Sequence, residues 1–191
     1  MLVHRPSVAL MPFEMPLQHK RFLAIGSHAL SERMLQLISA LALRQSLVVL
    51  DCGNRSDMYA VAKLIRPYTN DPVSVMNKIR LSRAFTCYQV LAMIQASSRQ
   101  SQQQPLVVLD LLATFLDEDV DLKDSQRLLT HCLILLEKIS EDVPVVISTR
   151  QIPAIAEHRK PLLNQLKANV DVCWEEPLLL PDENERQLTL F

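Results

Sequence analysis

Short apolar runs alternate with amphipathic helical patterns along most of this chain. Short apolar runs predict strands at 22–26, 47–51, 79–84, 106–110, 143–149 and 170–174, with a seventh strand at 187–191. Apolar residues spaced three and four positions apart predict helices at 31–44, from 57 to about 66, after the third strand to about 96, from 124 onward, and at 160–168. A polar segment rich in Ser and Gln, 97–104, predicts a loop.

Three of the predicted strands are apolar at nearly all successive positions, which is typical of strands covered on both faces. The segments 47–51 and 106–110 both read Leu-Val-Val-Leu-Asp, and 143–147 reads Val-Pro-Val-Val-Ile. Strands that regularly alternate with helices favour parallel pairing. The pattern therefore predicts an α/β fold of three layers, α/β/α, with a mainly parallel twisted sheet. Residues 1–20, which include Pro6, Pro12 and Pro16, predict an N-terminal arm before a single domain over 21–191.

Composition narrows the classes of function. Hydrophobic residues make up 49% of the chain and charged residues 21%, with a net charge of −1, so global charge gives no reason to expect nucleic-acid binding. No apolar run approaches the ~18 residues of a membrane span, so we expect a cytoplasmic protein with no membrane partner. The four cysteines are widely separated, which favours small buried thiols in a reducing compartment over a disulfide or zinc site.

The chain has only two glycines, Gly26 and Gly53, and each follows a predicted strand. A phosphate-binding loop requires G-x-x-x-x-G-K-[ST], because the backbone must approach phosphate closely and a lysine must reach it. Gly26 opens that spacing, but Ser31 replaces the second glycine, Glu32 the lysine and Arg33 the hydroxyl residue. A carboxylate at this place repels phosphate, so the pattern predicts a degenerate phosphate loop. In the simpler interpretation, Ser27 or Ser31 caps the following helix, and Glu32 favours its first turn.

Several segments, taken in order, resemble one family. They are the strand and altered loop at 22–33, Leu-Val-Val-Leu-Asp-Cys-Gly-Asn at 47–54, Ile-Arg-Leu-Ser-Arg-Ala-Phe at 79–85, Leu-Val-Val-Leu-Asp at 106–110, and Ile-Ser-Thr-Arg-Gln at 147–151. Over roughly 17–175 the chain is similar to the RecA/RadA-type recombinases and the KaiC-like superfamily. The resemblance implies a RecA-like core, with Asp110 at the position of the family's Walker B aspartate.

The departures from that family imply lost chemistry. Cys52 and Gly53 stand where the family places a catalytic glutamate, and an acidic run at 116–121 stands where it places a DNA-binding loop. The resemblance therefore implies a non-catalytic RecA-like protein, with no catalytic residue and no ATP or magnesium cofactor. We expect it to act through protein–protein contacts, as an accessory or regulatory factor in DNA recombination or repair. The expected partner is an intact RecA-like ATPase or a second copy, with Phe13 and the apolar segment 188–191 as docking elements.

Two alternatives stay open. The first is a weak nucleotide-binding sensor or ATPase whose rearranged site uses Asp51, Asp110 and Arg33. The second is a DNA-binding module, with nucleic-acid contacts from Arg80, Arg83, Arg159 and Lys160. Because the phosphate lysine and hydroxyl are missing, we expect Asp51 and Asp110 to be solvated carboxylates without a metal. The acidic run 117–124 lacks the turn glycine of a calcium loop and predicts a solvated loop.

Overall fold

The protein is an α/β structure in which one parallel sheet separates two layers of helices. A computed structural model describes residues 20–99 and 104–177. In that part of the chain the strands are β1 Arg21–Ile25, β2 Leu47–Asp51, β3 Ile79–Arg83, β4 Leu106–Leu109, β5 Val145–Thr149 and β6 Val172–Glu175. The helices are α1 Ser31–Arg44, α2 Met58–Ile65, α3 Pro72–Met76, α4 Cys87–Arg99, α5 Leu122–Ser140 and α6 Lys160–Ala168. The strands lie in the order β3-β2-β4-β5-β1-β6, and every pair is parallel.

Each buried strand sends alternate side chains into two separate cores. In β2, Val48 and Leu50 face the core formed with α4, α5 and α6, whereas Leu47 and Val49 face the core formed with α1, α2 and α3. Both faces of the central strands are covered, which explains their uninterrupted apolar sequence. The three-layer α/β/α architecture predicted from the sequence is confirmed.

Helix boundaries depend on capping residues that the hydrophobic pattern does not fix. Helix α5 begins at Leu122 rather than at 124, because the Asp121 carboxylate accepts a hydrogen bond from the Lys123 N–H at 2.9 Å. The short helix α3 was not predicted, although Asp71 caps it by accepting from the Ser74 N–H. Helix α4 extends to Arg99, so the first residues of the predicted loop 97–104 are helical.

Two further expectations, on the cysteines and on membrane spans, can be compared with the described residues, and two others fall almost wholly outside them. Cys52, Cys87 and Cys132 are buried as expected, but Cys173 is exposed because it lies on the edge strand β6. The predicted arm, apart from Lys20, and the predicted strand at 187–191 lie outside the described residues. No helix in the described part of the chain has the length and apolar character that crossing a membrane requires.

Candidate functional site

All six described strands point the same way, so the loops that follow them meet at one edge of the sheet. This carboxyl edge is where open α/β sheets place their ligands. Five residues named in the sequence analysis lie at this edge: Gly26, Asp51, Gly53, Arg83 and Asp110. Three charged residues that the sequence analysis did not name also lie there: Arg55, Arg150 and Glu176.

The turn after β1 is occupied by a carboxylate of the protein itself. The Ser27 N–H and hydroxyl donate to Oε2 of Glu176 at 2.9 and 2.8 Å. Glu176 comes directly after β6, and its own N–H donates to the Ile25 carbonyl at 2.7 Å. A Cβ on Gly26 would stand 2.7 Å from Oε2 and 2.9 Å from Cβ of Glu176. Gly26 therefore permits a close approach, but the anion it admits is a side chain.

Glu176 also interacts with a positively charged side chain, that of Arg33. Nη2 of Arg33 lies 3.6 Å from the second carboxylate oxygen of Glu176, and the Arg33 guanidinium lies over the Trp174 ring, 5.2 Å from its centre. The hydrogen bonds from the Ser27 hydroxyl and N–H, followed by the charge of Arg33, lower the pKa of Glu176 below its ordinary value. Arg33 and the loop backbone thus already have an anionic partner.

The backbone of this turn has an unusual conformation for a phosphate loop. His28, Ala29 and Leu30 all adopt left-handed φ angles, of 48°, 54° and 56°. Neither Ser27 nor Ser31 caps α1, because the residue in the capping position is Leu30, whose side chain makes no capping hydrogen bond. The capping interpretation is therefore wrong, whereas Glu32 does lie in the first turn of α1.

Asp51, at the end of β2, is fully buried, accepts three hydrogen bonds and pairs with one arginine. Its carboxylate accepts from the Arg55 N–H at 2.8 Å, from the Ser56 N–H at 3.0 Å and from the Ser56 hydroxyl. Nε of Arg83 lies 3.4 Å from the same carboxylate. Arg83 also donates to the Ser56 carbonyl at 2.7 Å, so it ties the end of β3 to the loop after β2.

Asp110, directly after β4, is also fully buried and lies between two arginines. Nε of Arg55 donates to Asp110 Oδ2 at 3.3 Å, and Nε of Arg150 lies 3.6 Å from the same oxygen. The Asp110 N–H donates to the Ser148 hydroxyl at 3.1 Å. The second oxygen, Oδ1, is buried and has no hydrogen-bond partner among the described residues.

These contacts correct the expectation of solvated carboxylates. Asp51 and Asp110 have no exposed surface, and each is compensated by arginine. Burial of an ionised carboxylate requires such compensation, because an unpaired buried charge is strongly disfavoured. Arg33, the third residue of the alternative nucleotide site, interacts instead with Glu176 and Trp174.

Gly53 is required by the position of Asp110. A Cβ on Gly53 would lie 2.6 Å from both Cβ and Oδ2 of Asp110. Neither glycine of the chain has a positive φ, whereas Asn54 and Asp110 do, at 54° and 49°. The two glycines are thus needed because neighbouring side chains leave no room for a Cβ, whereas the left-handed backbone at this edge is adopted by residues other than glycine.

The residues predicted to contact nucleic acid do not form one surface. Arg80 lies on the edge strand β3 and donates to the Gln104 side chain at 2.9 Å, and Arg83 is held on Asp51 and Ser56. Lys160 pairs with Glu157 at 2.5 Å.

Arg159 is only 3% exposed, which removes it from the candidate nucleic-acid contacts. Its guanidinium donates inward to the carbonyls of Phe115 and Val120 at 2.9 and 2.6 Å and to the Ser125 hydroxyl at 3.1 Å. It therefore acts as an internal brace. The sequence suggested a basic surface here because Arg159 stands between His158 and Lys160.

Sequence reasoning did not identify Glu176, Arg55 or Arg150 as site residues. Each follows the end of a predicted strand by a few residues, at 174, 51 and 149 respectively. The rule that parallel strands end at one edge could therefore have placed them near Asp51 and Asp110. Their individual partners depend on strand order, which the sequence does not reveal.

Exposed aromatic residues follow two of the arginines closely in sequence. Tyr59 is the second residue of α2, Phe85 lies two residues before α4, and Tyr88 is the second residue of α4. Their exposed fractions are 73%, 70% and 54%. Arg83 donates to Ser56, which brings the segment before Tyr59 against the segment that leads to Phe85.

No protein-family model matches this chain, and no curated protein is significantly similar to it in sequence. In the described ranges no group of three or more His, Cys, Asp or Glu side chains is arranged to bind a metal ion.

Proposed function

We propose that this chain is a RecA-like protein that works without catalysis, through protein–protein contacts, as an accessory or regulatory factor in DNA recombination or repair. Its partner is an intact RecA-like ATPase or a second copy of the chain. The observation that supports this proposal most is the Glu176 carboxylate on the Ser27 N–H and hydroxyl, beside Gly26.

A phosphate group bound after β1 would need the backbone donor that Glu176 uses. It would also meet two carboxylates, Glu176 and Glu32, with no lysine in the loop. At ~4 Å and an effective dielectric constant of about 20, each unit charge repels another by on the order of 4 kcal/mol. The arrangement therefore favours hydrogen bonds from the loop to Glu176 over the binding of a nucleotide phosphate.

Asp51 and Asp110, which lie at the ends of two other strands, also have partners within the protein. Asp110 lies within 3.6 Å of Nε of both Arg55 and Arg150, and Asp51 accepts from Ser56 and meets Arg83. Protein-bound magnesium usually keeps several waters and also uses substrate phosphates. An aspartate that is buried against two guanidiniums is better suited to holding loops together.

The test is the assembly state of the full chain, measured by size-exclusion chromatography with light scattering. The chain is run over a range of micromolar concentrations, alone and with a purified intact RecA-like ATPase from the same organism. A complex of defined stoichiometry, or concentration-dependent self-association, is the expected result. Strictly monomeric behaviour in both runs would reject the proposal.

A tail variant and a nucleotide titration sharpen that test. Replacing Leu188, Leu190 and Phe191 by alanine should weaken the complex at least tenfold, or about 1.4 kcal/mol. Ile134→Ala, which removes an exposed apolar side chain from α5, is the matched control and should leave the complex unchanged. Calorimetry with ATP and magnesium should give no binding heat, and a binding isotherm abolished by Asp110→Asn would favour the nucleotide sensor instead.

A further inference from the structure

The carboxyl edge carries an interaction surface that the proposed contacts do not use. We call it the arginine–aromatic surface, and it consists of Arg55, Arg83, Arg150, Tyr59, Phe85 and Tyr88. The three arginine side chains are 27%, 42% and 37% exposed, although each meets a buried aspartate. Three guanidiniums oppose two carboxylates, so one positive charge remains.

Much of the donor capacity of these arginines is unused. Arg55 contacts Asp110 through Nε, and within 20–99 and 104–177 its two terminal nitrogens make no hydrogen bond. The same holds for the terminal nitrogens of Arg150, whose buried Nε has only the 3.6 Å contact with Asp110. A guanidinium offers five donors in a planar fork that matches carboxylate geometry. The open donors therefore fit an acidic partner.

Exposed aromatic rings lie on the segments that follow Arg55 and Arg83 in sequence. All three tyrosines of the chain are at least half exposed, and two of them, Tyr59 and Tyr88, are in this region together with Phe85. Exposed aromatic rings beside arginine are typical of the residues that dominate binding energy at protein interfaces. The surface therefore fits a segment that carries carboxylates first and apolar side chains next.

Residues 181–191 of this chain have that order, after the three leucines at 178–180. Acidic residues lie at Asp182, Glu183 and Glu185, Arg186 follows them, and apolar residues come last, at Leu188, Leu190 and Phe191. The described fold ends at Pro177, next to Glu176, whose N–H donates to the Ile25 carbonyl at the carboxyl edge. The segment thus leaves the fold at the same edge as the arginine–aromatic surface.

The distances agree with the order of charges. Neighbouring strands are about 4.8 Å apart, so from β6 it is about 10 Å to β5, about 19 Å to β2 and about 24 Å to β3. An extended chain covers about 3.4 Å per residue, so Asp182 can lie up to ~17 Å and Glu185 up to ~27 Å from Pro177. The acidic residues reach Arg150 and Arg55, and Phe191, up to ~48 Å away, reaches beyond β3 to Phe85.

We propose that residues 178–191 bind in cis across the arginine–aromatic surface, with the acidic residues on the arginines and the apolar end on the exposed rings. The bound segment covers the rings and withholds 188–191 from a partner. A partner that takes up 188–191 therefore exposes Tyr59, Phe85 and Tyr88. This inference does not depend on the identity of the partner.

Photo-crosslinking of the full chain tests the proposal directly. Phe191 is replaced by p-benzoylphenylalanine, the protein is irradiated at low micromolar concentration, and crosslinked peptides are mapped by mass spectrometry. The expected product has the mass of one chain and links residue 191 to a peptide that contains Tyr59 or the Phe85 and Tyr88 pair. Raising the salt concentration from 50 to 500 mM should lower its yield, because the charge contacts are partly exposed.

Variants separate the charged and apolar contributions. Replacing Asp182, Glu183 and Glu185 by lysine should lower the intramolecular yield about tenfold, and Tyr59→Ala with Phe85→Ala should lower it to a similar extent. Tyr68→Ala, at an exposed ring after α2, is the matched control and should not change the yield.

Three outcomes would overturn the proposal. The first is a product with the mass of two chains, which would assign the surface to a second copy. The second is crosslinking to peptides away from the arginine–aromatic surface, or none at all. The third is a yield unaffected by charge reversal of the acidic residues.

Discussion

Gly53 lies so close to Asp110 that a Cβ on the glycine would stand 2.6 Å from Cβ of the aspartate. The Asp110 Cβ cannot withdraw easily, because it is attached to a left-handed backbone whose N–H is bonded to Ser148. We expect Gly53→Ala to lower the free energy of unfolding by about 2 kcal/mol, as overpacking in a rigid site does. Urea denaturation of the two proteins measures the difference.

Gly26→Ala is the natural comparison. Its Cβ would meet Cδ2 of Leu30 and, at 2.7 Å, Oε2 of Glu176, which are the ends of side chains that can rotate, and its contact with Cβ of Glu176, at 2.9 Å, is longer than the contact of Gly53 with Cβ of Asp110. We expect a loss of about 1 kcal/mol, smaller than at Gly53, together with displacement of Glu176 from Ser27. A loss at Gly26 greater than at Gly53 would contradict this account of the two glycines.

The layers and strands were predictable because they depend on local pattern. The runs that end at Asp51 and Asp110 are apolar at every position, and this occurs where both faces of a strand are buried. The helix at Ser31–Arg44 matched its predicted bounds for a related reason, since its buried positions repeat every three to four residues. Helix α3 escaped prediction because five residues are too few to show a period.

The contacts of the site depend on strand order and were therefore harder to predict from the sequence. Asp110 and Arg55 are far apart in sequence and meet because β4 lies beside β2. Glu176 reaches Ser27 because β6 pairs with β1 at the opposite side of the sheet. A sequence indicates which residues end strands, but it does not indicate which strand ends are neighbours. For that reason the two aspartates were expected to be solvated.

Removing the charge of Asp110 should be costly. Asp110→Asn removes the buried carboxylate that both Arg55 and Arg150 contact, and these two partly exposed guanidiniums then lose their common counter-charge. We expect a loss of about 3 kcal/mol in unfolding free energy, which is typical when one partner of a buried pair is removed. Asp124→Asn, in an exposed pair with Arg127, is the control and should cost less than about 1 kcal/mol. Equal losses at the two sites would show that the buried network contributes little.

Arg159 is expected to matter for stability rather than for ligand binding. Arg159→Met fills part of the same volume but leaves the Phe115 and Val120 carbonyls and the Ser125 hydroxyl without this donor. We expect a loss of about 3 kcal/mol, because unsatisfied buried polar groups cost about 1–3 kcal/mol each and part of that cost is recovered by water. Hydrogen exchange should also accelerate over 115–125. Lys160→Met, which removes an exposed pair with Glu157, should change neither quantity appreciably.

The left-handed turn after β1 offers a stabilising substitution. Ala29 is buried in this turn with a φ of 54°, a conformation that costs about 1–2 kcal/mol for a residue with a Cβ. Glycine removes that cost and loses some unfolded-state entropy in return, so Ala29→Gly should raise the melting temperature by a few degrees. Ala40→Gly, inside α1, should lower it by a similar amount, since glycine is unfavourable in a helix. A decrease for Ala29→Gly would indicate that this turn is not left-handed in solution.

Glu176 should make stability depend on pH in the acidic range. Its pKa in the folded protein is lowered by the Ser27 hydrogen bonds and then by Arg33, so the unfolded chain takes up the proton first as the pH falls. The contribution of Glu176 is therefore complete above the ordinary glutamate pKa of about 4.3 and is lost as the pH falls through the lower folded value. We expect Glu176→Gln to cost about 1 kcal/mol at pH 7 and progressively less toward pH 3. Denaturation of both proteins across this range measures the difference, with Glu118→Gln, at an exposed residue, as the control. A difference that is constant with pH, or that grows on acidification, would contradict an ionised Glu176 at the Gly26 turn.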